Sequence, residues 1–268
     1  MASFADALEA AGFPATVVPT RSVGTRDVTL QDDEAQAKAL LQPLLDDGKE
    51  VIVLGHSYGG FVITGLIAGL DKRGREALGL GGGILGVIYL SAFIPIEGET
   101  TFEAAGRNDC AFASADDVST LSSSKIACFR SFISFFQPKV VLYMLIPILQ
   151  IEETGLLGSK EEKYHFYNDI PDEVAERLTA SLKGHSGAAV MSAPSSIGWK
   201  DKAYDGRRAY IRTLRDNALT IKYQDELIAR SGVEWLVKSV DASHSAFFSS
   251  TDEVVGLVAE LAGEFVKN

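Results

Sequence analysis

Glu50-Val51-Ile52-Val53-Leu54-Gly55-His56-Ser57-Tyr58-Gly59-Gly60 is the stretch on which the reading of the fold turns. Val51 to Leu54 run apolar without alternation, as a strand covered on both faces of a parallel sheet requires. A helix is expected from about Gly60 to Leu70, so Ser57 falls on the sharp turn between strand and helix. The glycines two places either side, Gly55 and Gly59, are expected to keep that turn clear, since a side chain at either would meet the neighbouring strand or helix. The serine itself would then sit in a strained conformation, a common mark of a functional residue.

Working outward, the same alternation of element types recurs. Phe4, Ala7, Leu8 and Ala11 share one helical face, and Gly12 and Pro14 stop that helix. Ala15 to Pro19 reads as a strand, and Glu34 to Leu45 as a helix bent at Pro43. Ile84 to Phe93, Ala209 to Leu214 and Val233 to Val240 are further apolar strand runs, and Thr251 to Val266 carries the helical stripe Val254, Val255, Val258, Leu261, Phe265. Strands alternating with helices predict an α/β fold built on a mostly parallel sheet. Between Pro95 and Asp205 the alternation stops. The expected division is therefore a core of residues 1–94 and 206–268, with 95–205 inserted as a helical cap.

Composition narrows the function classes. The chain has 268 residues, is 46% hydrophobic and 23% charged, and is neither disordered nor collagen-like. Its 25 Lys and Arg against 36 Asp and Glu leave a net charge of −11, with no basic patch to hold a phosphate backbone. The partner expected is a small-molecule substrate, with no nucleic acid. Phe132 to Ile151 is strongly apolar, but Pro138, Lys139 and Pro147 break it into runs too short to span a bilayer. Met1 to Ala15 contains Asp6 and Glu9 without a basic or an apolar region, so no secretory signal is read there and a cytoplasmic location is expected. Cys110 and Cys128 fit no metal-ligand or redox spacing and read as reduced thiols. Gly81 to Gly86 fits a dinucleotide glycine pattern, but it precedes a strand where that motif must follow one. The acidic clusters Asp32-Asp33-Glu34 and Glu161-Glu162 read as solvated faces. No metal or organic cofactor is expected.

A serine on a strand-to-helix turn is a weak nucleophile until a histidine takes its proton and a carboxylate orients that histidine. The order required on this turn type is serine, acid, histidine. Of four histidines, His56 lies inside the turn and should pack beside it, and His165 and His185 lie in the insertion, expected in solvated or capping roles. His244 follows the strand Val233 to Val240 and precedes the last helix, where the base belongs. Asp216 follows the strand Ala209 to Leu214 at the same end of the sheet. Its rival Asp241, three residues before His244, reads as a residue that turns the chain.

These residues resemble the α/β-hydrolase superfamily, in particular the cofactor-free microbial hydrolases related to plant methylesterases and hydroxynitrile lyases. Three stretches carry the resemblance: Val51 to Gly60 around Ser57, Tyr210 to Gln224 around Asp216, and Asp241 to Ser249 around His244. Phe166-Tyr167-Asn168-Asp169-Ile170-Pro171 is also similar to a cap segment of the microbial members. The resemblance spans nearly the whole chain except about Thr101 to Glu162. It implies an α/β-hydrolase fold in which Ser57 attacks a carbonyl carbon, His244 shuttles the proton, Asp216 orients the imidazole and the Tyr58 backbone N–H is an oxyanion donor. Ser245 follows His244 where lyase members carry lysine, which points to hydrolysis of an ester, lactone or thioester of a mostly apolar small molecule. A ligand-binding relative without turnover and a cofactor-free lyase or cyclase are the alternatives.

The resemblance also implies a further N-terminal strand, ending in an oxyanion loop and lying between Ala15–Pro19 and Glu50–Leu54. This sequence starts at the helix that follows that strand, as an incomplete start would. The expected gap is two strand spacings, roughly 9.5 Å.

Overall fold

The apolar runs of the sequence do assemble into one parallel sheet. The computed structural model describes residues 2–106, 150–151 and 156–267. The strands among them are β1 (Glu50–Ser57), β2 (Gly83–Ala92), β3 (Gln150–Ile151), β4 (Leu157–Gly158), β5 (Arg208–Thr213) and β6 (Leu236–Val240). β1, β2, β5 and β6 form a four-stranded sheet in that order, every pair parallel, and β3 and β4 make a separate antiparallel ribbon.

β2 is buried along its whole length because helices cover both faces. Ile84, Val87 and Tyr89 face a core with Leu41, Leu45, Phe61 and Ile63, supplied by α2 (Leu30–Asp46) and α3 (Gly59–Leu66). Leu85, Ile88 and Leu90 face the other core, with Val254, Val258, Leu261 and Phe265 of the C-terminal helix Thr251–Lys267. Packing there is close enough that a Cβ on Gly86 would lie 2.2 Å from the Phe265 ring. Phe4 of α1 (Ala2–Ala10) joins this second core, 6.1 Å from Phe247 between ring centroids.

Two expectations change. α2 begins at Leu30 rather than Glu34, because Thr29 and Asp32 form a reciprocal capping box, and the helix runs on through Pro43. Ala15–Pro19 forms no strand; Val17 and Val18 are 47% and 40% exposed. An extended segment becomes a strand only where its N–H and C=O groups meet a neighbour's. Among the described residues β1 pairs only with β2 and is an edge of the sheet, and Ala15–Pro19 makes no ladder with its outer side.

Between β2 and β5, the described residues include the short helices α5 (Thr101–Ala105), α6 (Glu162–Phe166), α7 (Asp172–Ser181) and α8 (Gly187–Val190), after α4 (Lys72–Ala77) earlier in the chain. Cys110, Cys128 and all of Phe132 to Ile151 before Gln150 lie outside the described residues. No helix among the described residues is long and apolar enough to cross a membrane.

Candidate active site

The turn at Ser57 is built by close approach. β1 ends at Ser57 and α3 begins two residues later, so the chain must reverse its character within one peptide. Ser57 has φ +54°, in the left-handed region that costs a non-glycine residue roughly 1–3 kcal/mol. The Ser57 carbonyl is tied back to the sheet by the Phe93 N–H at 3.2 Å. A Cβ on Gly55 would lie 2.7 Å from the Gly59 carbonyl oxygen, and one on Gly60 only 2.1 Å from the Phe93 oxygen. A Cβ on Gly59 would meet nothing within 4 Å. The steric need expected at Gly59 therefore falls on Gly60, whose position in the first turn of α3 faces the end of β2.

Asp216 and His244 come from loops that continue the β5–β6 pairing past the strand ends. Leu214 N–H bonds Val240 O and Arg215 N–H bonds Ala242 O, both at 3.0 Å, which brings the two loops side by side. His244 Nδ1 lies 2.8 Å from Asp216 Oδ2, and both side chains are almost completely buried. Thr213 Oγ1 donates to the same oxygen at 2.8 Å, and so does Ser91 Oγ. The other oxygen accepts the Ala218 and Leu219 N–H groups at 2.7 and 2.8 Å. Burial works to raise the Asp216 pKa, but the charge and hydrogen bond of His244 and the Ser91 and Thr213 hydroxyls outweigh it and hold the carboxyl below its ordinary value. Asp241 is largely exposed and accepts from Arg215 Nε at 2.9 Å, and among the described residues it makes no hydrogen bond or ion pair with His244.

Ser57 has no hydrogen bond to His244 among the described residues; in unliganded hydrolases this contact is commonly long. His56, beside the turn, donates Nε2–H to the His244 carbonyl at 2.9 Å and packs edge-on to Phe247. Burial, with the neighbouring His244, pushes the His56 pKa down to about 3. The Tyr58 backbone stands at the N-cap of α3, where helix N–H groups lack intrahelical acceptors. Its side chain turns away, donating to Asp33 Oδ2 at 3.0 Å.

Several polar residues read as solvated are buried instead. Asp33 is 1% exposed and accepts from Ser22 N–H, Ser22 Oγ and Tyr58. Glu34 is buried against Gly65 and accepts from Ser195 N–H at 3.1 Å, and burial raises its pKa. The sequence shows three adjacent acids at a helix start; that two of them face inward depends on which face of α2 meets α3. His165 is buried and donates to the Asn217 carbonyl at 3.0 Å, and His185 is half-buried, 3.2 Å from Ser22 Oγ. Asp169, in the segment Phe166 to Pro171, accepts from Ser243 N–H and Ser249 Oγ, both at 2.7 Å, and so clasps the loop that carries His244. Ser91 was not legible as a site residue, because nothing in Ile84 to Phe93 marks where its hydroxyl points.

The fold and these residues define a parallel α/β protein with a serine on a strained strand-to-helix turn and a buried Asp–His pair at the same end of the sheet. The alpha/beta hydrolase family profile matches residues 1–257, and the chain belongs to that family. It is 25% identical over 266 residues to "Probable hydrolase R7" of a Phoma species, covering 96% of this chain and 89% of that one. Among solved structures, a pyrethroid hydrolase from Sphingobium faniae JZ-2 superposes with a TM-score of 0.61 at 18% identity, covering 100% of this chain and 93% of the other. A methylesterase from Arabidopsis gives 0.62 at 19%, covering 98% and 92%. Fold and relatives together make this a carboxylesterase-like enzyme.

Proposed function

We propose that the protein is a serine hydrolase that cleaves an ester, lactone or thioester of a mostly apolar small molecule through an acyl-enzyme on Ser57. His244 Nε2 takes the Ser57 proton as Oγ attacks the carbonyl carbon and returns it to the leaving oxygen or sulfur. A water then repeats the cycle on the acyl-enzyme, releasing acid and free Ser57. Asp216 holds His244 with the proton on Nδ1 and stabilises the imidazolium. The Tyr58 N–H, at the positive end of α3, is a donor to the oxyanion. Residues 95–205 act as the cap that shapes the pocket, and Asp169 joins that cap to the histidine loop.

The observations that support this reading are the buried 2.8 Å Asp216–His244 pair and, at the same end of the sheet, a serine held at positive φ. The relatives' names, a hydrolase, a methylesterase and a pyrethroid hydrolase, support ester chemistry. Incubation with a fluorophosphonate followed by intact mass tests it. One adduct is expected on the protein and none on Ser57→Ala. A folded protein that takes no adduct but is thermally stabilised by a small apolar ester would instead be a binder without turnover.

A further inference from the structure

After a first shift between Val51 and Ile52, β1 and β2 pair in step from Ile52 opposite Gly86 to His56 opposite Leu90, but the next pair is Ser57 opposite Ala92, so Ser91 is an extra residue on β2. Its φ is +40°, one of four non-glycine residues at positive φ among those described, with Ser57 another. Such a bulge re-aims a side chain and is costly for a serine. Tyr210 holds it in place: its hydroxyl accepts from Ala92 N–H at 3.1 Å and donates to Ala92 O at 2.9 Å.

The re-aimed hydroxyl is completely buried, donates to Asp216 Oδ2 and lies 3.1 Å from His244 Nδ1. A serine hydroxyl has one proton. With that proton given to Asp216, the oxygen can meet Nδ1 only as an acceptor. His244 Nδ1–H is then held between two acceptors, one at the end of β2 and one beyond β5. A single acceptor leaves the ring free to swing about one bond, whereas two fix its plane.

Building on the reading of Ser57, His244 and Asp216 above, we propose that Ser91 is a positioning residue, whose hydroxyl locks Asp216 and the His244 ring so that Nε2 faces Ser57. Nothing in the proton transfer requires Ser91 to react.

The test compares Ser91→Ala with Ser91→Gly on a short-chain p-nitrophenyl ester, with the fluorophosphonate rate and the far-downfield imidazole N–H proton signal as further readouts. The His244 signal is identified by its loss in His244→Ala. Both variants remove the hydroxyl, but glycine also relieves the positive φ. Expected for both is a fall in kcat and in labelling rate of about tenfold, the factor carried by one hydrogen bond to a charged group, with KM within about twofold. The imidazole signal moves or broadens in both, while Ser91→Gly melts no lower than Ser91→Ala. Loss of activity in Ser91→Ala that Ser91→Gly restores would show a backbone role and overturn the proposal. So would wild-type kcat with an unchanged imidazole signal in both variants. If the unaltered protein takes no adduct, or Ser57→Ala still takes one, the underlying hydrolase reading fails; the imidazole signal, read without turnover, then decides Ser91 alone.

Discussion

Replacing Asp216 by asparagine should all but stop turnover while leaving the fold in place, and the hydrogen bonds around the carboxylate show why. One oxygen accepts two backbone N–H groups, from Ala218 and Leu219, which cannot turn round to accept. The asparagine must therefore keep its carbonyl oxygen there and present its NH₂ where Oδ2 stood. The Ser91 and Thr213 hydroxyls can rotate to accept from that NH₂. His244 can meet it only by moving its own proton from Nδ1 to Nε2, which removes the lone pair that would take the Ser57 proton. A wrong-tautomer histidine costs about 10⁴ in kcat, ~5.5 kcal/mol of transition-state stabilisation at about 1.4 kcal/mol per decade. The measurement is kcat for p-nitrophenyl ester hydrolysis beside the rate of fluorophosphonate labelling, with thermal melting to confirm folding. A folded Asp216→Asn protein within tenfold of the unaltered kcat would refute the assignment of Asp216 as the orienting acid.

Gly60→Ala should destabilise strongly or fail to fold, since its Cβ would lie 2.1 Å from Phe93 O, whereas Gly59→Ala should be neutral or gain up to about 1 kcal/mol of helix propensity; melting temperatures of the two decide between them. Because the buried His56 is held neutral, with its pKa down at about 3 against an ordinary 6.5, its contribution to stability is complete above pH 6.5 and is lost as pH falls toward 3, at up to about 1.4 kcal/mol per pH unit. Denaturant unfolding from pH 7 to 4.5 should show that slope, and His56→Gln should flatten it; equal slopes would refute the assignment. Asp33→Ala leaves the Tyr58 hydroxyl and the Ser22 N–H and hydroxyl without their buried acceptor and should cost about 2–4 kcal/mol by urea titration, with a loss under 1 kcal/mol showing that water replaces the carboxylate.

Fold class, the serine turn and the chain order of the candidate site were readable in the residues alone, for a physical reason that operates over short distances. An uninterrupted apolar run such as Val51 to Leu54 marks a strand of a parallel sheet, although at the edge of this sheet it is only half-buried, and Gly55, Ser57 and Gly59 stand within five residues. That the steric need falls on Gly60 instead of Gly59 came from the packing of α3 against the end of β2. Asp216 and His244 were placed by position, because loops after parallel strands gather at one end of the sheet. What the tertiary structure decided are the meetings between elements distant in sequence. Asp33 and Glu34 look solvated until the packing of α2 on α3 turns them inward. Ala15–Pro19 has the composition of a strand but makes no ladder with the edge of β1, and strand formation is a property of pairs. Ser91 is one more serine in an apolar run until a one-residue bulge, held by a tyrosine 119 positions later, aims it at the Asp–His pair. Periodicity reports which face a residue should occupy in regular structure; a bulge breaks the period, and only the packed neighbours determine where that side chain goes.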